Sequence, residues 1–321
     1  MKKTIPTLIC LFIIAAQATA QNYQKMLDSA SSYIEARNYG KAINMYTTVL
    51  KADTSNAEAY QLRGLAYQEI KDYESAIRDY TSCIKANPRY WLGYLRRADL
   101  FSRLDYYDYA LKDYNLALRC TDSADHKEAI LVNRGQTKHQ MKNAAGAVED
   151  FEAVLKLNPS SIAALVNLGA LLPDVGRPKE AIAHLEKVIK LDSTFEGGYG
   201  NLAFLYSELG DYKNALAISN KLLSFKPNEA YALNNRGYIK LKLNDFDGAL
   251  EDINNSIQQL PGNSYAFKNR GEVYLALKKN KEACSDFQKA LKLGFTEQYG
   301  DAVEELVKKH CTAPVNTSRV Q

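Results

Sequence analysis

One pattern returns along this chain at a fixed period of about 34 residues, and it constrains the fold more than any other feature. With positions numbered from the start of each copy, the copies begin at Tyr23, Ala57, Trp91, Glu128, Ile162, Glu196, Ala230 and Ser264. Three copies cover 23–124, an insertion covers Asp125 to Lys127, and five copies cover 128–297. Within a copy, apolar residues fall at helical intervals in two short stretches, which predicts an amphipathic pair, helix A and helix B. Position 20, on helix B, is Ala in every copy: Ala42, Ala76, Ala110, Ala147, Ala181, Ala215, Ala249 and Ala283. Position 8, on helix A, is always small: Ala30, Gly64, Ala98, Gly135, Gly169, Ala203, Gly237 and Gly271. Two helices approach closely where both carry small side chains, so A and B are expected to touch there. Large residues at positions 4, 11 and 24 then fill the space to either side. Asp72, Asp211 and Asp245 fall where a short oxygen-bearing side chain caps the start of helix B. Pro88, Pro159, Pro227 and Pro261 fall where helix B must stop.

The copy from Ala57 carries Tyr60, Arg63-Gly64, Tyr67, Ala76, Tyr80, Cys83 and Pro88. The last copy carries Phe267, Arg270-Gly271, Tyr274, Ala283, Phe287 and Ala290. A large apolar residue followed by Gly, Tyr, Ala, Phe and Pro at these offsets resembles the tetratricopeptide repeat family of secreted bacterial type. The resemblance implies an all-α chain, a right-handed superhelical solenoid of about eight helix pairs with a C-terminal capping helix. One copy cannot bury its apolar face alone, so copies must stack. Eight repeats are expected over 21–297 and a capping helix over 298–311, from the pattern Ala302, Val303, Leu306 and Val307. Residues 312–321 are expected to be a disordered tail. Pro173 should shorten or kink helix A of the fifth copy. Gly197, Gly198 and Gly200 open the sixth copy with poor helix formers; drift, a flexible joint and a place of close approach for a ligand backbone are all open readings of this stretch.

Comparison of the copies with one another separates two kinds of position. Position 7 is Arg63, Arg97, Arg134, Arg236 and Arg270, and the same five copies hold Asp79, Asp113, Asp150, Asp252 and Asp286 at position 23. The other three have Ser29 with Met45, Leu168 with His184 and Leu202 with Ile218. Residues present and absent together predict Arg–Asp pairs joining A to B. Position 6 is Asn133, Asn167, Asn201, Asn235 and Asn269 in five successive copies. The family resemblance places position 6 on the concave surface, where amides that both donate and accept suit an extended peptide backbone. It places positions 2, 5 and 9 on the same surface, here Phe204, Tyr231, Asn234, Tyr238, Tyr265 and Lys268. The Lys/Arg clamp by which some family members take a carboxylate tail has mostly apolar or amide equivalents here.

The expected function is therefore a non-catalytic protein-binding scaffold that holds a partner segment in this groove. A groove for a glycan or another small envelope ligand is one alternative, and a homo-oligomeric structural protein is another. The four histidines are scattered without a zinc motif, and no phosphate-cradling loop follows a strand, so no enzyme, metal or cofactor is expected. The formal charge is +4, two of it from Lys2 and Lys3, and the signs are interspersed, which argues against nucleic acid. Lys2-Lys3, the apolar run Leu8–Ala16 and Ala18-Thr19-Ala20 predict a signal peptide over 1–20, cleaved before Gln21. Bulky Ile9 before Cys10 speaks against lipidation. No later segment is long enough to span a membrane. The expected location is the periplasm of a Gram-negative bacterium, with secretion or outer-membrane association as alternatives. In an oxidising compartment Cys284, on the last helix B, and Cys311, after the cap, are candidates for a disulfide.

Overall fold

The computed structural model describes residues 24–311; the predicted leader and tail lie outside the described residues. Every regular element among them is helical. The chain forms two compact units, divided between Ala164 and Leu165. The first unit holds α1 (24–35), α2 (Tyr39–Ala52), α3 (Ala57–Glu69), α4 (Tyr73–Ala86), α5 (Trp91–Arg103), α6 (Tyr107–Arg119), α7 (Ala124–Gln140) and α8 (Ala144–Leu157). The division falls inside α9 (Ile162–Leu171). The second unit continues with α10 (Pro178–Leu191), α11 (Glu196–Glu208), α12 (Tyr212–Phe225), α13 (Ala230–Lys242), α14 (Phe246–Gln259), α15 (Ser264–Ala276) and α16 (Asn280–Lys292). It ends with α17 (Phe295–Tyr299) and α18 (Ala302–His310). Odd-numbered helices up to α15 are the A helices and even-numbered ones up to α16 the B helices. Each B helix in α3·α4, α5·α6, α7·α8, α11·α12, α13·α14 and α15·α16 packs on the A helix before it.

The small residues work as predicted with one change of partner. All eight position-20 alanines have no exposed surface. Where position 8 is glycine, it is met by the large side chain at position 24 rather than by another small one. A Cβ added to Gly271 would lie 2.5 Å from Phe287 Cε1, and one on Gly64 would lie 2.7 Å from Tyr80 Cε1. The ring at position 24 therefore lies over the missing side chain. Tyr46, Tyr80, Tyr114, Phe151, Leu185, Ile253 and Phe287 occupy that position and are buried completely or nearly so. Burial of each such side chain stabilises by about 1.5–3 kcal/mol. The buried tyrosines keep a polar partner: Tyr80 donates to Gln68 Oε1 at 3.1 Å and Tyr114 to Asp99 Oδ1 at 2.9 Å.

The turns explain how A and B reverse direction. Position 15 has positive φ in every copy: Arg37, Lys71, Asp105, Lys142, Gly176, Gly210, Asn244 and Lys278. A left-handed residue there ends helix A, and in five copies the side chain of the next residue caps helix B. Asp72 accepts from Ser75 N at 3.1 Å, Asp211 from Asn214 N at 3.2 Å and Asp245 from Gly248 N at 3.0 Å. Asn38 and Asn143 do the same in their copies.

The insertion, Pro173 and the cap each take a definite form. The insertion lies within α7, which has 17 residues where α3 and α5 have 13. The added turn stacks His126 on Trp91 with ring centroids 4.0 Å apart. Pro173 shortens α9 to 10 residues and starts a 3-10 turn, Pro173–Val175. The cap is two helices rather than one, because Gly300 (φ 84°, ψ −172°) breaks the chain between α17 and α18. Helix α18 lies on α16, with Val303 fully buried, and Cys284 is joined to Cys311 with Cα atoms 5.6 Å apart.

Candidate functional site

The second unit contains a cavity of about 440 Å³. Helix α11 contributes Phe204, Ser207 and Glu208 to its wall, and α13 contributes Tyr231, Asn234, Asn235, Tyr238 and Ile239. Tyr265, Lys268 and Asn269 enter from α15, Asn263 from its cap and Tyr299 from α17. Eight of the residues singled out from the sequence meet here: Phe204, Tyr231, Asn234, Asn235, Tyr238, Tyr265, Lys268 and Asn269. Successive A helices place them because positions 2, 5, 6 and 9 lie on one helical face. Phe204, Tyr231 and Tyr299 are more than half exposed and Tyr265 somewhat less, an unusual density of open aromatic surface.

The polar groups are arranged around these rings. Lys268 pairs with Glu272 at 3.0 Å, and its ammonium lies 5.5 Å from the ring centroids of both Tyr238 and Tyr265. Lys242 covers Tyr238 at 4.9 Å. Tyr265 packs against Phe295 at 5.4 Å and edge-on against Tyr299 at 5.0 Å. Burial, with the nearby charges of Glu272 and Glu208, raises the Tyr265 pKa. Asn269 is buried and donates from Nδ2 to Asn234 Oδ1 at 3.0 Å. Asn269 Oδ1 and Asn263 Nδ2 are buried without a hydrogen-bond partner. Such groups cost about 1–3 kcal/mol each, and both belong to residues lining the cavity.

The five position-6 asparagines are not one uniform row. Asn235 and Asn269 line the cavity, whereas Asn167 and Asn201 do not. Asn133, in the first unit, donates to Asp99 Oδ1 at 2.9 Å, and Asp99 also accepts from Tyr114. That amide serves the packing of neighbouring copies. The lining residues that the sequence pattern did not single out are Ser207, Glu208, Ile239, Asn263 and Tyr299. A signal for Tyr299 was present: Tyr231, Tyr265 and Tyr299 are each one repeat period apart, so the period runs on past the last full copy.

The Arg–Asp pairs form in all five copies and lie away from this site. Each is bidentate, with Arg97 Nε and Nη2 donating to Asp113 at 2.7 and 2.9 Å, for example. The equivalent bonds join Arg63 to Asp79, Arg134 to Asp150, Arg236 to Asp252 and Arg270 to Asp286. The remaining Nη1 reaches position 25 of the preceding copy: Thr47, Thr81, Asn115, Asn220 and Asn254 in turn. One Arg thus ties three helices together.

Among the described residues no group of three or more His, Cys, Asp or Glu is placed to hold a metal, and no helix is long and apolar enough to cross a membrane. Models of the tetratricopeptide repeat match residues 57–90 and 128–161, 174–234, and 234–302, together more than half of the chain. A comparison with curated proteins finds no match. Among solved structures, the chain is similar to the Cut9–Hcn1 hetero-tetramer of the APC/C (TM-score 0.57, 18% identity, 76% of this chain and 48% of that one). It is also similar to PilF of Pseudomonas aeruginosa (TM-score 0.57, 17% identity, 66% and 96%). A tetratricopeptide repeat protein of Parabacteroides merdae aligns over 91% of this chain and 100% of its own, at 20% identity and TM-score 0.48. The likenesses at TM-score 0.57 concern the fold alone; the matched repeats, over more than half of the chain, show that it belongs to the tetratricopeptide repeat family.

Proposed function

We propose that this protein is a non-catalytic scaffold of the bacterial envelope that holds an extended segment of a partner protein in the cavity of its second unit. The observation that carries the reading is the convergence of open aromatic rings and amides from three successive A helices in one concavity. Aromatic surface supplies binding energy at small entropic cost, and amides pair with peptide groups of any sequence. Several net hydrogen bonds of about 0.5–1.5 kcal/mol each, added to ring contacts, support micromolar affinity. The proposed location is the periplasm of a Gram-negative cell, supported by the leader-like residues 1–20 and by the Cys284–Cys311 bridge.

An array of dodecapeptides of varied sequence tests the reading. The protein should retain a subset of them, and Tyr231→Ala combined with Asn235→Ala should weaken that retention at least tenfold without changing helicity. Equal retention by both proteins would place the partner surface elsewhere. Retention of glycans but not peptides on a parallel array would replace the partner class.

A further inference from the structure

The lining of the cavity is periodic in a way that narrows its ligand. Two aromatic rows run through it, each advancing by one repeat period: Tyr231, Tyr265 and Tyr299 at position 2, and Phe204 and Tyr238 at position 9. One period is one step from an A helix to the next, and α11, α13 and α15 pack on one another in that order. Packed helices stand about 8–10 Å apart. A polyproline II helix has three residues per turn and rises about 3.1 Å per residue, so the same face returns about every 9 Å. The spacing of the rows therefore suits a ligand that presents one apolar ring per turn. Tyr299 breaks the spacing, since it contacts Tyr265 directly, and with Phe295 it closes the end of the trough. At the other end, position 2 of the sixth copy is Gly197, and the Phe195 ring lies where its side chain would be.

The polar groups agree with this. Tyrosine hydroxyls and the Asn235 amide can donate, as a chain rich in carbonyls and poor in N–H requires. Lys268 is the one cation among the lining residues, and its charge is already answered by Glu272 at 3.0 Å. We propose that the trough takes a proline-rich segment in the polyproline II conformation, with prolyl rings stacked between the two aromatic rows. This rests on the peptide-groove reading above and specifies its partner.

Blocked decaproline, which is polyproline II by itself and has no backbone N–H in its interior, is the direct probe. Titration calorimetry of the purified protein should show saturable binding, weakened at least tenfold by Tyr231→Ala and by Tyr265→Ala. Tyr109→Ala, at an exposed tyrosine of the first unit, should leave it unchanged. Tyr231 is 59% exposed, so its replacement is not expected to disturb the fold. If proline-free peptides bind with loss in the Tyr231 and Tyr265 variants while decaproline does not bind, the proline inference fails and the peptide reading stands. If neither decaproline nor any peptide binds, both fail. Decaproline binding that is equally strong in all three variants would also overturn the inference.

Discussion

At the scale of single residues, the Arg–Asp pairs set the geometry of the stack. The acid side chains are only 3–8% exposed and the arginines 16–20%, so these are half-buried ion pairs rather than surface ones. Removing one partner strands a desolvated charge, at a cost of about 3–5 kcal/mol when fully buried, whereas replacing both by apolar residues is often nearly neutral. Copy six already shows the apolar solution, Leu202 with Ile218. Asp113→Ala should therefore lower stability by about 2–4 kcal/mol, and Arg97→Leu with Asp113→Ile by much less, as urea unfolding would measure. A double variant as damaged as the single one would contradict this. The third contact of each Arg was also written in the sequence: position 25 of the preceding copy is Thr or Asn wherever the Arg is present. It is Glu152 or Glu186 ahead of Leu168 and Leu202. Comparison within one copy does not show this, because the contact crosses to the copy before.

Asp99 is a second residue-scale case. Burial raises its pKa despite the hydrogen bonds from Asn133 and Tyr114. A carboxyl whose folded pKa lies above its unfolded value binds its proton more tightly when folded. Its ionisation therefore costs stability at neutral pH, and the cost disappears as pH falls through the raised pKa. Asn keeps the acceptor without the charge. Asp99→Asn should thus stabilise the protein at pH 7, and the gain should shrink toward acid pH in matched melts; a gain that grows in acid would refute the assignment.

At the scale of elements, helix pairs, capping residues and proline stops were legible because each follows from local chemistry that recurs from copy to copy. The turn conformation was not. Position 15 is left-handed in every copy but glycine in only two, Gly176 and Gly210, so no residue type announced it. The C-terminal cap was legible as apolar periodicity, but its break was not, since a lone Gly300 inside a helical pattern is usually tolerated. The bridge between Cys284 and Cys311 spans 27 residues, and the chain-entropy model gives about 3.5 kcal/mol for such a loop. Helix α17 also carries Tyr299 into the cavity. Cys311→Ser should accordingly lower Tm and increase hydrogen exchange in α17 and α18 before other helices. Unchanged exchange there would show that packing of Val303 and Phe295 alone holds the cap.

At the scale of the whole molecule, the repeat decides both what was readable and what was not. Stacked copies interact chiefly with their neighbours, so fold class follows once the period is seen. The binding face followed in part, because one helical face recurs in every A helix. Which copies use that face for a ligand does not follow from the period. Asn133 and Asn269 hold the same position, yet one secures Asp99 and the other lines a cavity. The difference lies in their neighbours, Asp99 in one case and Asn234 with an aromatic wall in the other. The measurement that bears most directly on the central claim is site-specific photocrosslinking in envelope extract, with a benzophenone side chain placed at position 231, 265 or 109. Positions 231 and 265 should capture the same partner through one extended segment, Asn235→Ala should reduce the yield, and position 109 should capture nothing comparable. Capture of the partner at 109, with none at 231 or 265, would contradict that claim.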